Sequence, residues 1–414
     1  VTTPQNAPTT SPGPDYASLA GEHLPDLIAL RRAMHQDPEL GLDLPRTQQR
    51  VLEALEGLGL RIQTGTGLSS VIAVLEGGRP GPTVLLRADM DGLPLQERTG
   101  LPFASRTGAM HACGHDLHTA ALVGAARLLA SQREELPGTV IFMFQPGEEG
   151  PGGAEPMIRE GVLGVAGELP IAAYGIHVGR GPRGTFVTRA GTLMAGSANL
   201  RVRVHGAGGH GSQPVRAIDP VPPLLEIGTA LQTMISREFS AADPVVASIT
   251  QLEAGAAINV IPDSAALGAS VRTLSPEATE HFGQLARRLA ENIASAHGAR
   301  AEVDWDIVYP VTVNDEQEER FAVAALRESF GAERVHESPQ PLMGSEDFSH
   351  VLAQVPGCYV FLLCSPDVLP EGDLATNHSP EVLFDDAVLG DQAAALASLA
   401  HGRLLQAAQD DVRR

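Results

Sequence analysis

The chain has 414 residues, 43% of them hydrophobic and 19% charged, which is more apolar material than one core usually holds and points to two domains. Its 50 Asp and Glu against 29 Lys and Arg leave a net charge of -21, which repels a phosphate backbone and makes nucleic acid a poor partner. No apolar run reaches the roughly 18 residues that a membrane helix needs, and three cysteines are too few for a disulfide framework.

Residues 1–14 are rich in Pro and Thr and almost free of apolar bulk, so a disordered tail is expected. It shows no basic stretch followed by an apolar one, and a cytoplasmic location is expected. From Tyr16 a helical period sets in, with Leu24, Leu27, Ile28 and Met34 on one stripe, and Pro38 ends it; a second helix follows near 47–58. The runs SVIAVLEG, TVLLRAD, GTVIFMFQ and AAYGIHV read as buried strands, with an Ala- and Leu-rich helix after His115. That alternation indicates an α/β sheet.

Between 199 and 309 the pattern becomes strand, helix, strand, strand, helix, strand, the ferredoxin-like order. After it come a helix near 316–330, the loop PLMGSEDFS, the strand CYVFLLC, the loop ATNHSP and a last Ala- and Leu-rich helix. The expected fold is an α/β catalytic domain, a mixed sheet flanked by helices, built from 15–190 and 310–414. A ferredoxin-like α+β domain over 191–309 interrupts it.

The chemistry concentrates in a few places. His111-Ala112-Cys113-Gly114-His115-Asp116-Leu117-His118 packs three imidazoles and a thiol just before a helix. Thiolate and neutral imidazole are strong ligands for zinc-like ions, and Cys113 and His115, two apart, can face one pocket; a polar helix start beside a buried Cys is the plain alternative. Gln145-Pro146-Gly147-Glu148-Glu149 follows a strand, so one carboxylate can bind metal while its neighbour takes a proton from water. Paired Glu in a loop is usually only solvated, and the adjacent Cys and His cluster favours the functional reading. His177 ends a strand and His378 lies in ATNHSP; each alone is more often structural, but both fall where an open α/β sheet places its crevice. Gly206-Ala207-Gly208-Gly209-His210-Gly211 fits a dinucleotide fingerprint in letters only. Pro214 follows at once and the acidic residue about 20 on, Glu226, lies inside the next helix, so a flexible loop presenting His210 is expected instead.

In order, RRAMHQDPELG, LLRADMDGLPL, MHACGHDLHTA, FQPGEEGPGGAEPMI, YGIHV, GAGGHGSQP, INVIPD, MGSEDFS and NHSP resemble the M20 family of metallopeptidases, in its branch of aminoacylases and hippurate or indoleacetyl-amino acid hydrolases. The resemblance implies that Cys113, His115, Glu149, His177 and His378 hold two divalent ions, zinc first, with manganese, cobalt or nickel as alternatives. It implies Glu148 as general base, His210 as a lid-domain oxyanion donor often serving the other subunit, and Asn259 and Arg272 as holders of the substrate carboxylate. Asp89 and Asp91 stand where other branches carry a metal-binding His-x-Asp pair, and are expected to support ligands. The implied activity is hydrolysis of N-acyl amino acids by a homodimer joined through the inserted lid domain. The alternatives are a dipeptidase or carboxypeptidase of the same family, or a binder without turnover.

Overall fold

A computed structural model of the chain describes residues 14–369 and 373–413. The tail expected over 1–14 lies outside these, apart from Pro14. In chain order the elements that matter are helices α1 (Tyr16–His35) and α2 (Pro45–Leu55), then strands β1 (Arg61–Thr64), β2 (Val71–Glu76) and β3 (Arg79–Asp89). Helix α3 (His115–Ser131) and strands β4 (Pro137–Gln145), β5 (Ala172–Gly179) and β6 (Thr185–Thr188) follow. Next come β7 (Gly196–His205), β8 (Gly209–His210), α4 (Val221–Glu238), β9 (Val246–Ala254), β10 (Val260–Ile261), β11 (Ser264–Thr273), α5 (Pro276–Ala296) and β12 (Arg300–Tyr309). The chain closes with α6 (Glu316–Phe330), β13 (Val335–Glu337), β14 (Gly357–Leu363) and α7 (Val388–Arg413).

These elements divide into two compact units. The first holds the chain through Gly191, Val313–Pro339 and everything from His350; the second holds Thr192–Thr312 and Gln340–Ser349. In the first, eight strands form a mixed sheet in the order β1-β2-β4-β3-β5-β14-β6-β13. Its centre is parallel, with β3 between β4 and β5 and β14 beyond β5, while β2 runs antiparallel to β4. The central strands are buried along most of their length, which explains their unbroken apolar runs. Helices α3 and α7 pack on these strands, with α1 against both helices. They meet at Gly124, where a Cβ would lie 2.7 Å from Ala393 Cβ and 2.8 Å from Leu27 Cδ1, so only a hydrogen fits. The short strands β1 and β13 at the edges, and β6 next to one of them, carry too little apolar pattern to be read from sequence.

The second unit has its own core, with α4 and α5 on one face of a four-stranded antiparallel sheet ordered β9-β11-β7-β12. Here the strands alternate buried and exposed residues, as a half-covered sheet requires. No helix among the described residues is long and apolar enough to cross a membrane.

One charged cluster is buried within the first unit. Arg31 Nε lies 2.6 Å from Asp116 and Arg31 Nη1 2.9 Å from Asp386, while His35 places Nδ1 2.8 Å from Asp116 and Nε2 3.2 Å from Glu97. Burial opposes charge on His35, but its carboxylate neighbours outweigh that and raise its pKa. This cluster ties α1 to the first turn of α3. Arg31→Met should cost about 3–5 kcal/mol in urea unfolding, because it strands a buried carboxylate. Arg32→Met, whose side chain is 48% exposed, should cost about 1 kcal/mol or less. Equal losses would show that the cluster does not brace the fold.

Candidate metal centre

The parallel strands β3, β4 and β5 end side by side, with Asp89 paired to Gln145, and the candidate residues lie at or just past those ends. This is where an open α/β sheet leaves a crevice. Beyond β4 the backbone turns at Pro146 and Gly147 into Glu148 and Glu149. Their N–H groups donate to the two carboxylate oxygens of Asp91, at 2.9 and 3.0 Å. Cys113 and His115 flank Gly114, which caps α3 in the left-handed region at φ 86; a Cβ there would stand 2.3 Å from Val178 Cγ2. His378 has φ 70, the only positive value for a non-glycine among the described residues, and its N–H donates to Ala112 O at 2.9 Å. Strain of this kind persists where the surroundings impose it.

The five expected ligands converge. Cys113 Sγ lies 3.4 Å from His177 Nε2 and 3.2 Å from His378 Nε2. Glu149 Oε1 stands 3.2 Å from His378 Nε2 and 3.8 Å from His115 Nε2. Donor atoms of Cys113, His115 and His177 lie within 4.8 Å of one another, as do those of Cys113, Glu149 and His378. Cys113 belongs to both groups. Glu148 joins His115 and Glu149 in a third.

Two observations say that these residues fit metal ions. Both ring nitrogens of His115 and Glu149 Oε1 are buried without a hydrogen-bond partner, each a cost of about 1–3 kcal/mol unless a cation satisfies it. The donor set of thiol, imidazoles and carboxylate is also one that zinc-like ions prefer. The His177 ring is already oriented, since Nδ1 donates to Val178 O at 2.7 Å and leaves the Nε2 lone pair toward Cys113.

The electrostatics point the same way. Burial alone would raise the Cys113 thiol, but His177 first, with His115 and His378 beside it, holds it well below its ordinary range. Burial alone would lower His115, yet Asp89, Asp91 and Cys113 raise it well above its ordinary value. The adjacent Cys113 sulfur and Glu149 carboxylate push His378 up to about 10. The pocket favours positive charge, which protons supply when no metal does.

His118 is committed elsewhere. Its Nδ1 lies 2.6 Å from Asp89 Oδ1, and its Nε2 accepts from Val178 N–H at 2.8 Å, so the ring is neutral and supports β3 and β5. Burial pushes its pKa down to about 4. Asp89 in turn faces Arg87 at 2.5 Å. His111 is buried with neither ring nitrogen partnered, and burial takes it to about 4 as well. Sequence reasoning missed Arg87 and Asn377 as contributors. A charged residue inside the apolar run TVLLRAD was the available signal for the first.

The remaining expected residues lie in the second unit. His210 sits in β8, paired with Val260 of β10, and Gly211 N–H donates to Asn259 O at 2.8 Å, so His210 and Asn259 share one corner. The segment expected as a flexible loop is thus a short paired strand. Ser212 N–H donates to His210 Nδ1 at 3.2 Å, which leaves the ring proton on Nε2. Arg272 lies near the end of β11, half-buried and hydrogen-bonded to Ser197.

The sequence pattern of peptidase family M20/M25/M40 matches residues 85–401. Thermostable carboxypeptidase 2 of Saccharolobus solfataricus is 38% identical over 384 residues, spanning 91% of this chain and 94% of its own. N-acetylcysteine deacetylase of Bacillus subtilis is 40% identical over 343 residues, spanning 81% and 87%. The crystal structure of a dinuclear metal-binding M20 peptidase from Bacillus subtilis superposes with a TM-score of 0.79 at 33% identity, over 94% of this chain and 99% of that one.

The depressed His111 yields a pH test. Its folded value is near 4 against 6.5 unfolded, so the unfolded chain takes up the proton first and stability from this residue is lost as pH falls below 6.5. In metal-stripped protein, the unfolding free energy of His111→Phe relative to the parent should therefore improve by up to about 3 kcal/mol between pH 7 and pH 4. A constant difference across that range would mean that His111 is not held neutral.

Proposed function

The chain belongs to peptidase family M20/M25/M40, whose members are metal-dependent hydrolases of amide bonds, and from that premise we propose that it deacylates N-acyl amino acids. The observation that carries the proposal is the meeting of Cys113, His115, Glu149, His177 and His378 around two overlapping donor groups, with Glu148 beside them. These five residues would hold two divalent ions, zinc before manganese, cobalt or nickel because thiolate and imidazole are its favoured donors. When bound, such ions polarise the amide carbonyl and acidify water.

The chain's own residues supply the rest. Glu148 takes a proton of the attacking water and hands it to the departing nitrogen as the C–N bond breaks, so that amide and water become carboxylate and amine without a free hydroxide. Its backbone is fixed by Asp91, which keeps the carboxylate aimed while it changes protonation. His210, with its proton on Nε2, is a donor for the tetrahedral oxyanion. Arg272 and Asn259 hold the substrate's carboxylate, a task suited to a planar guanidinium.

A division between subunits is supported within the second unit. β11 begins at Ser264 beside the His210 and Asn259 corner and reaches Arg272 eight positions later, about 26 Å along a strand at roughly 3.3 Å per residue. One small substrate cannot touch both ends of one copy. The proposed enzyme is therefore a homodimer, with residues 191–309 as the lid and dimerisation domain and each site completed by the partner copy. A carboxypeptidase reading is favoured by the two Saccharolobus carboxypeptidases, each 38% identical. Rates on acetyl and benzoyl amino acids against those on dipeptides separate the two.

Glu148→Gln should lower kcat by about 10²- to 10⁴-fold while both ions stay bound, measured by amine release and by metal analysis of the purified protein. Near-normal turnover would remove Glu148 from its role. Co-expression of Glu148→Gln with His210→Ala chains should restore up to about a quarter of the parental activity, since half the dimers then carry one intact composite site. No recovery would place His210 in its own subunit's site or outside catalysis.

A further inference from the structure

We propose that Asn377 is a positioning residue for the metal centre that tempers the sulfur of Cys113 by donating an N–H to it, and so biases the site away from the softest ions. The inference rests on the reading that Cys113 and His177 hold metal. Asn377 Nδ2 lies 3.7 Å from Cys113 Sγ and 3.2 Å from Val178 O. A thiolate and a carbonyl only accept, so the NH2 end of the carboxamide must face them, one hydrogen to each. Val178 O is also the acceptor that orients His177, through Nδ1 at 2.7 Å. Asn377 thus touches one proposed ligand directly and a second through a shared carbonyl.

Loading the site changes which donors remain. Cys113 also meets His177 Nε2 at 3.4 Å and His378 Nε2 at 3.2 Å. As ligands, both imidazoles present lone pairs on those nitrogens, so neither donates to sulfur. The carboxamide of Asn377 keeps its hydrogens whatever is bound. An N–H donated to a thiolate draws electron density from sulfur and weakens it as a soft ligand. Because Cys113 belongs to both donor groups, the effect reaches both ions. Asn377 precedes the strained His378, and the His378 N–H bond to Ala112 O fixes the loop that carries both.

The test uses the full chain loaded with cobalt. Asn377→Asp keeps the shape and removes both hydrogens; Asn377→Ala removes the group. In both variants the thiolate-to-cobalt charge-transfer absorption should move to longer wavelength with two ions per chain retained, and the ratio of cadmium to manganese affinity should rise by about tenfold. An absorption at the parental wavelength in both variants overturns the inference. So does loss of cobalt from both, since Asn377 would then only support the loop. Absence of any thiolate band in the parental protein overturns the assignment of Cys113 as well, and so separates failure of that reading from failure of this one.

Discussion

A buried thiol held well below its ordinary range and a part-buried carboxylate, Cys113 and Glu149, stand within reach of three imidazoles. Removing such groups from water is costly unless cations compensate them. The acidic neighbours raise His115 and His378, and both ring nitrogens of His115 are without a hydrogen-bond partner. Divalent ions satisfy both the charge and the orphaned donors. The rest of the first unit can be understood as the scaffold that keeps these groups from relaxing apart.

That scaffold works by fixing backbone before side chains. Asp91 spends both oxygens on the N–H groups of Glu148 and Glu149, while Gly114 and His378 adopt left-handed backbone on either side of the cluster. Behind them, Arg87, Asp89 and His118 form a buried chain that ends on the Val178 N–H, and the Val178 carbonyl orients His177. Arg31 and His35 brace Asp116, next to His115. Each support is itself buried and paired, which is what holding a metal site to a few tenths of an ångström requires.

The two units answer different demands. The first buries a parallel sheet on both faces and gathers chemistry at its strand ends. The second leaves one sheet face open and sets His210 and Arg272 at opposite ends of a strand. The net charge of -21 leaves the chain without an excess of basic residues.

Much of this was legible in the order of residues. Apolar runs of four to eight residues separated by Ala-rich helical periods fix an α/β sheet, and the strand and helix order over 199–309 fixes the ferredoxin-like unit, because periodicity reflects which faces are buried. Residue type marked the Cys and His cluster, the Glu148 and Glu149 pair, His177 and His378 as candidates, and the family resemblance implied Cys113, His115, Glu149, His177 and His378 as the ligand set. Residue type by itself could not rank the three histidines of HACGHDLH, which look alike in a line. Folding sends His115 into the cluster, commits His118 to Asp89 and Val178, and buries His111 without a partner. Nor could it show that Asn377 reaches a sulfur 264 positions away, or that Arg272 stands a strand's length from His210. Residue type sets what a group can bind; only the path of the chain through space decides which neighbours it meets.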